Sequence, residues 1–269
     1  MAPKRIAIWS HPRSLSTALV MSLGNYGKVE VFNEFYGGAY AFGPEKKVSS
    51  PPPLPIPPEK DLTYDAVKAL LETDYPDQEL IIFKDHAAAL DKKYDKLPQG
   101  FVHTFIIRDP TKMFLSNQKM AEKSGMTIEM FIKFSETMFG KSHGYEAMVD
   151  LVKYIEETLK QKVVIVDADD LQSNPKNVLG TFCKAVDIPF RDTLLSWKPI
   201  AEIPWHIPKA LLAFNKATGA YESALKSTGW LPPDPNTVDL TNIPKVLFDA
   251  IEVALPFYET LHAKRLNWT

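Results

Sequence analysis

The chain has one cysteine, Cys183, in 269 residues. An internal disulfide is excluded, and a cysteine-rich zinc cluster with it. A dominant charge is also lacking: 31 Lys and Arg stand against 33 Asp and Glu, for a net charge of −2. No global basic field favours nucleic acid or an anionic membrane, so any anion site must be built locally. Long apolar runs are missing too. The N-terminal run "RIAIW" meets His11 and Arg13 at once, too early for a signal-peptide core or a membrane span. The expectation is a cytoplasmic protein with neither a membrane nor a nucleic-acid partner. The sequence shows no metal cluster, and no metal is expected. The oligomeric state is left open, a homo-oligomer included.

What is present is ordinary for a soluble globular protein: 45% apolar and 24% charged residues. The length suits a single domain spanning 1–269. Five short runs rich in Ile, Val and Phe read as strands: 5–10, 29–34, 79–85, 103–109 and 162–168. They scarcely alternate, as expected of strands buried on both faces of a parallel sheet. Helical patterns lie between them, at "LSTALVMSLG", "TYDAVKALLETD", "AAALDKKYDKL", "PTKMFLSNQKMAEKSG", 127–160 and "NPKNVLGTFCKAVD". The fold class is therefore α/β, a three-layer α/β/α arrangement around a mostly parallel sheet. Ligands in such sheets bind at the carboxyl ends of the strands. Two proline-rich stretches, 46–60 and 227–237, read as surface loops, because Pro lacks an N–H and favours extended backbone. A terminal helix is expected over 244–264.

Three polar clusters end three of these strands. "SHPRSLST" (10–17) offers Arg13, Ser14, Ser16 and Thr17 at a helix N-terminus, where free N–H groups and the helix dipole attract an anion. Read alone it is an anion site or a plain helix cap. "RDPTKMFLS" (108–116) sets Arg108 at a strand end and Ser116 two helical turns on. Alone, Arg108 is as well explained by pairing with Asp109. "KDH" (84–86) puts Lys84, Asp85 and His86 at a third strand end, and His is the best-suited base near neutral pH. Together the three should converge on one rim.

In order and spacing these clusters resemble the sulfotransferases that use 3′-phosphoadenosine 5′-phosphosulfate (PAPS), whose P-loop-like nucleotide-binding fold the resemblance implies. "PRSLST" stands where the family typically has Pro-Lys-Ser-Gly-Thr-Thr. "RDPTKMFLS" fits its Arg-to-Ser spacing, and "KDH" its Lys-x-His element. "VVIVDADDLQSNPKNVLGTFCKAVDIPF" (163–190) looks like its later strand, acidic turn and helix. The resemblance implies that Arg13 lies near the transferring sulfuryl group and that Ser14, Leu15, Ser16 and Thr17 hold the 5′-phosphate. Arg108 and Ser116 would hold the 3′-phosphate, His86 would be the general base and Lys84 would assist it. The products would be the sulfated acceptor and 3′-phosphoadenosine 5′-phosphate (PAP). Leu15 replaces the family Gly, and Arg13 the family Lys. The usual C-terminal Arg-Lys-Gly is absent, and Lys226, Gly229 and Trp230 in "KSTGW" are expected in its stead.

The acceptor is expected to be a small apolar alcohol or phenol, or less readily an amine, since no basic strip is evident. Phe35, Tyr36 and Tyr40, and Trp205 with His206, lie in two aromatic stretches read as loops that could line its pocket or complete the core. Asp85 is a rival base. Two other readings stay open. One is a P-loop kinase or NTPase, which lacks its Gly-Lys-Ser/Thr here. The other is a nucleotide-binding module without catalysis.

Overall fold

The computed structural model describes residues 2–47, 56–232 and 243–268. Most of the first proline-rich loop (48–55) and the later part of the second (233–237) lie outside the described residues. Five parallel strands form one sheet, β1 (Lys4–Ser10), β2 (Val29–Asn33), β3 (Leu80–His86), β4 (Val102–Ile107) and β5 (Val164–Asp167), in the order β2-β3-β1-β4-β5. β1 holds the centre, with β3 and β4 on its flanks.

The helices are α1 (Ser16–Gly24), α2 (Phe35–Phe42), α3 (Tyr64–Glu72), α4 (Pro110–Ser124), α5 (Ile128–Phe139), α6 (Tyr145–Glu157), α7 (Ala168–Ser173), α8 (Pro175–Ala185), α9 (Lys209–Thr218), α10 (Glu222–Lys226) and α11 (Lys245–His262). Strand residues alternate between two cores. Ala7, Trp9, Ile81, Phe83 and Phe105 pack with side chains from α2, α3 and α6. Ile6, Ile8, Ile82, Ile106 and Val164 pack with α1 and α8. The sheet is thus buried on both faces, which is why its strands read as unbroken apolar runs. No helix among the described residues is long and apolar enough to cross a membrane.

Three segments differ from the expected elements. Residues 87–97 form two short 3₁₀ turns, Ala87–Leu90 and Tyr94–Lys96, because Asp91 and Lys92 between them take positive φ. The pattern over 127–160 is two helices, broken by Gly140 and Gly144, both at positive φ. The stretch 33–43 is no loop: helix α2 begins there behind Glu34 in the left-handed region.

Candidate active site

Strand register brings the three clusters to one rim. Ser10 lies opposite His86 on one side and Ile106 on the other. The loop after β1 therefore sits between the ends of β3 and β4.

That loop keeps its shape at the expense of two left-handed residues, Arg13 (φ 61°) and Leu15 (φ 66°). Such backbone costs a non-glycine residue about 1–2 kcal/mol. Leu15 thus adopts by strain the conformation open to the Gly it replaces. Side chains brace the turn. Ser14 Oγ donates to the His11 carbonyl at 2.9 Å. The His11 ring stacks on Tyr145, centroids 4.0 Å apart. Its Nδ1 meets the Pro12 carbonyl at 2.9 Å, and its Nε2 accepts from the Arg108 N–H at 3.1 Å. These partners assign the neutral Nδ1–H tautomer. Burial holds the pKa down at about 3. His11 is a bracing residue whose role shows only once β4 lies alongside. Gly144 (φ 98°) lets the chain approach it: a Cβ there would stand 3.3 Å from the His11 Cβ.

Helix α1 starts with no side-chain cap and no acidic residue in its first turn. The hydroxyls of Ser16 and Thr17 make no hydrogen bond among the described residues. The simple-cap reading therefore fails, and free donors remain at the positive end of the helix.

Arg13 and Arg108 stand close together. Arg108 Nη1 donates to the Arg13 carbonyl at 3.1 Å. Arg13 Nε donates to Ser116 Oγ at 3.0 Å, and its Nη1 to the Ala220 carbonyl at 3.0 Å. Neither guanidinium has a carboxylate within ion-pairing distance among the described residues, although Asp169, Asp109 and Asp167 act on Arg108 at longer range. Asp109 instead caps α4, accepting from the Lys112 N–H, and Lys112 Nζ occupies Asp169 at 3.0 Å. Arg108 Nε is buried with no partner at all. Burial lowers both pKa values, and the charge of Arg108 lowers that of Arg13 further. Guanidinium stays ionised regardless. Two part-buried like charges without an ion-pair partner are costly unless an anion joins them. The resemblance separates Arg13 from the Arg108–Ser116 pair; here all three form one cluster, with Arg13 itself on Ser116.

The β2–β3 side is built differently. Lys84 is fully buried and donates to Glu34 Oε1 in a close ion pair. The same oxygen lies 3.5 Å from His86 Nε2. Burial would raise the Glu34 pKa, but the charges of Lys84 and His86 outweigh it and hold the group at about 2. Glu34 carries no sequence signal except its place one residue past β2. His86 Nδ1 is 3.1 Å from Ser10 Oγ, whose hydroxyl donates to the Asp85 carbonyl. That leaves Nδ1–H facing Ser10 and the lone pair on Nε2. Burial, then Lys84, pull the His86 pKa down to about 4, so the ring is neutral at pH 7. Phe139 from α5 meets the ring edge-on at 5.3 Å.

Asp85, the rival base, is held by backbone donors. Its carboxylate accepts the N–H groups of Tyr36 (2.7 Å), Gly37 (3.0 Å) and His86 (2.9 Å), and so anchors the start of α2. Burial and the charge of Glu34 push its pKa up to about 7.

Several expected ligand contacts fall elsewhere. Tyr36 is fully buried, its hydroxyl donating to the Lys96 carbonyl, and Phe35 and Tyr40 pack on the same core. The helical period of α2 turns these rings toward the sheet. His206 pairs by backbone with the β2 edge, stacks on Phe32 and contacts Glu30, below the rim, while Trp205 packs on the α1–α8 core. Lys226 is exposed and ion-paired with Glu222. Gly229 forms a bridge with Ser196, and Trp230 donates to the Leu194 carbonyl and packs on Trp197. Residues 217–220, just before α10, face Arg13 instead. A cavity of about 410 Å³ beside Arg13 and Ser116 is lined by Lys119, Lys123, Lys216 and Glu222.

Residues 147–265 match the family model described as a sulfotransferase domain. That stretch, less than half of the chain, is similar to a sulfotransferase domain. The matched stretch begins after Ser116, so the rim side chains lie outside it. A solved sulfotransferase from Alicyclobacillus acidocaldarius has the same fold (TM-score 0.51, 11% identity, covering 84% of this chain and 94% of that one). Over 95% of its length the chain is 27% identical to branched-chain-amino-acid aminotransferase-like protein 2 of Arabidopsis thaliana. It is 32% identical to the like protein 1 of that plant over 107 residues, 37% of this chain and 16% of that protein. The chain spans about two-fifths of the length of the first of these curated relatives.

Proposed function

We propose that the protein transfers a sulfuryl group from PAPS to a hydroxyl of a small acceptor, with His86 as general base. The observation that carries this reading is the pair of part-buried guanidiniums, Arg13 and Arg108, with no carboxylate at ion-pairing distance among the described residues. A donor bearing phosphates at two positions fits that need, and so do the uncapped N–H groups of α1 with Ser16 and Thr17. Arg108 Nε and the α1 terminus would hold its phosphates. When bound, such a donor supplies an electrophilic sulfur on a good leaving group.

The chain's own residues do the rest. Neutral His86 accepts the acceptor's hydroxyl proton at Nε2. The imidazolium formed is stabilised by Glu34, which Lys84 keeps ionised. Arg13 offers fixed positive charge where negative charge grows on the leaving side. No metal is needed in this scheme, because guanidinium and backbone donors carry the charge stabilisation.

Thermal-shift and calorimetric measurements with PAP, ATP and AMP test the donor. Preference for PAP is expected, and stabilisation by ATP alone would sink the reading in favour of a kinase. His86→Ala should lower sulfate transfer by about 10²–10⁴-fold with PAP affinity intact. The wild-type rate should fall as pH drops through about 4, where His86 takes up a proton. Equal transfer by the variant would remove His86 as the base, and PAP binding with no transfer to any acceptor would leave a binding module.

A further inference from the structure

One short segment touches both halves of the rim. Helix α9 ends at Gly219 in left-handed backbone (φ 65°), and the chain turns through Ala220 and Tyr221 into α10. The Ala220 carbonyl accepts from Arg13 Nη1 at 3.0 Å. The next side chain, Tyr221, is buried and reaches the other half, meeting Asn33 at a distance of 188 residues along the chain.

The Tyr221 hydroxyl is held on three sides. Asn33 Nδ2 and Asn215 Nδ2 both donate to it, each at 2.8 Å, and both amides are buried. Two accepted bonds fill the lone pairs of the oxygen, so its own proton must go elsewhere. Glu34 takes it, the carboxylate being hydrogen-bonded to this hydroxyl. Chemistry fixes the directions. Ionised Glu34 can only accept, so Tyr221 donates and both amides turn their NH₂ groups to its oxygen. Burial and the charge of Glu34 push the Tyr221 pKa well up, which keeps the proton on the phenol.

Glu34 therefore has partners from two parts of the fold. Lys84 pairs with its Oε1, and His86 faces the same oxygen from 3.5 Å. Asp85 adds repulsion from the same strand end. These three belong to β3, whereas Tyr221 comes from outside the sheet. Lys84 is a compact point charge, which neutralises a carboxylate without fixing its rotation. A second donor on the carboxylate fixes it, provided the donor is itself locked.

We infer that Tyr221 is a positioning residue for the base: its hydroxyl, locked by Asn33 and Asn215, holds the Glu34 carboxylate against His86. The inference rests on the reading of His86 as base and deepens it. As the acceptor oxygen bonds to sulfur and the donor's S–O bond to phosphate breaks, the hydroxyl proton passes to His86 Nε2. Positive charge then appears on the ring, and a fixed Glu34 meets it without first reorienting.

Tyr221→Phe keeps the ring and removes the hydroxyl. Side-chain ¹³C NMR titrations of Glu34 and His86, at about 2 and about 4 in wild type, read the loss without turnover. Glu34 loses a donor that favours its charged form, so its pKa rises. Its less satisfied charge favours imidazolium, so that of His86 rises too. Each should move up by about half a pH unit or more. Asn215→Leu removes one donor that polarises the hydroxyl. It should shift both groups the same way by less, and it serves if the first variant does not fold. With PAPS and 4-ethylphenol or hexan-1-ol, kcat of Tyr221→Phe should fall by about 3–30-fold, with PAP affinity by calorimetry changed less than about twofold. Unmoved titrations in the folded variants would make Tyr221 a packing residue and overturn the inference. Moved titrations with kcat unchanged would overturn it too. Equal transfer by His86→Ala would instead bring down the parent reading, while the titrations would still show whether Tyr221 holds Glu34.

Discussion

The two halves of the rim handle buried charge in opposite ways. At the ends of β2 and β3 each buried charge has a partner within the fold: Lys84 with Glu34, and Asp85 with three N–H groups. At the ends of β1 and β4, Arg13 and Arg108 lie together with no carboxylate at ion-pairing distance among the described residues, and Arg108 Nε has no partner. The balanced half is complete without a ligand and holds the base in place. The unbalanced half is complete only with an anion. A fold can tolerate such imbalance where binding repays it, so the imbalance itself marks the binding side.

Substitutions can break this contrast. The largest effect is expected in the balanced half. Lys84→Ala strands Glu34 and should cost about 3–5 kcal/mol in a urea titration. The double variant Lys84→Met/Glu34→Leu should recover most of that stability, since an apolar pair leaves no unpaired charge. Recovery of none would mean the pair does more than neutralise itself.

The reverse is expected in the unbalanced half. Arg108→Met removes a repulsion along with one hydrogen bond, so stability should move by less than about 1 kcal/mol. PAP affinity should nevertheless fall by about 10–100-fold, since hydrogen bonds to charged groups are worth about 1.5–3 kcal/mol. A large loss of stability would make Arg108 a structural cation and erase the contrast. The smallest effect belongs to the loop between the halves. Leu15→Val puts a β-branched residue in left-handed backbone and should cost about 1–2 kcal/mol. Leu15→Gly should change stability by less than about 1 kcal/mol, because relief of strain offsets the loss of Leu15's packing on the α1–α8 core. A thermal melt of each variant checks the order.

Much of this was legible in the chain. The five strands follow from apolar runs without alternation, and the convergence of Arg13, His86 and Arg108 follows from their places at strand ends. One difference has a clear source. Tyr36 flanks the rim in sequence yet packs in the core. The helical period of α2 turns Tyr36 inward and points its N–H groups at Asp85. The aromatic content of 33–43 gave no hint that a helix could start behind a left-handed Glu34.

What the sequence determined by itself is the sheet and the row of polar residues at its carboxyl edge. Both depend on local periodicity, which nearest neighbours along the chain decide. Tertiary structure alone decided which charges are paired. Glu34 meets Lys84 across 50 residues, and Arg13 meets Ser116 across 103. Lys119 and Lys123 gain Lys216 as a neighbour only when α9 packs beside α4. A net charge of −2 says nothing about such clustering. Electrostatic energy depends on distance and burial, and packing sets both.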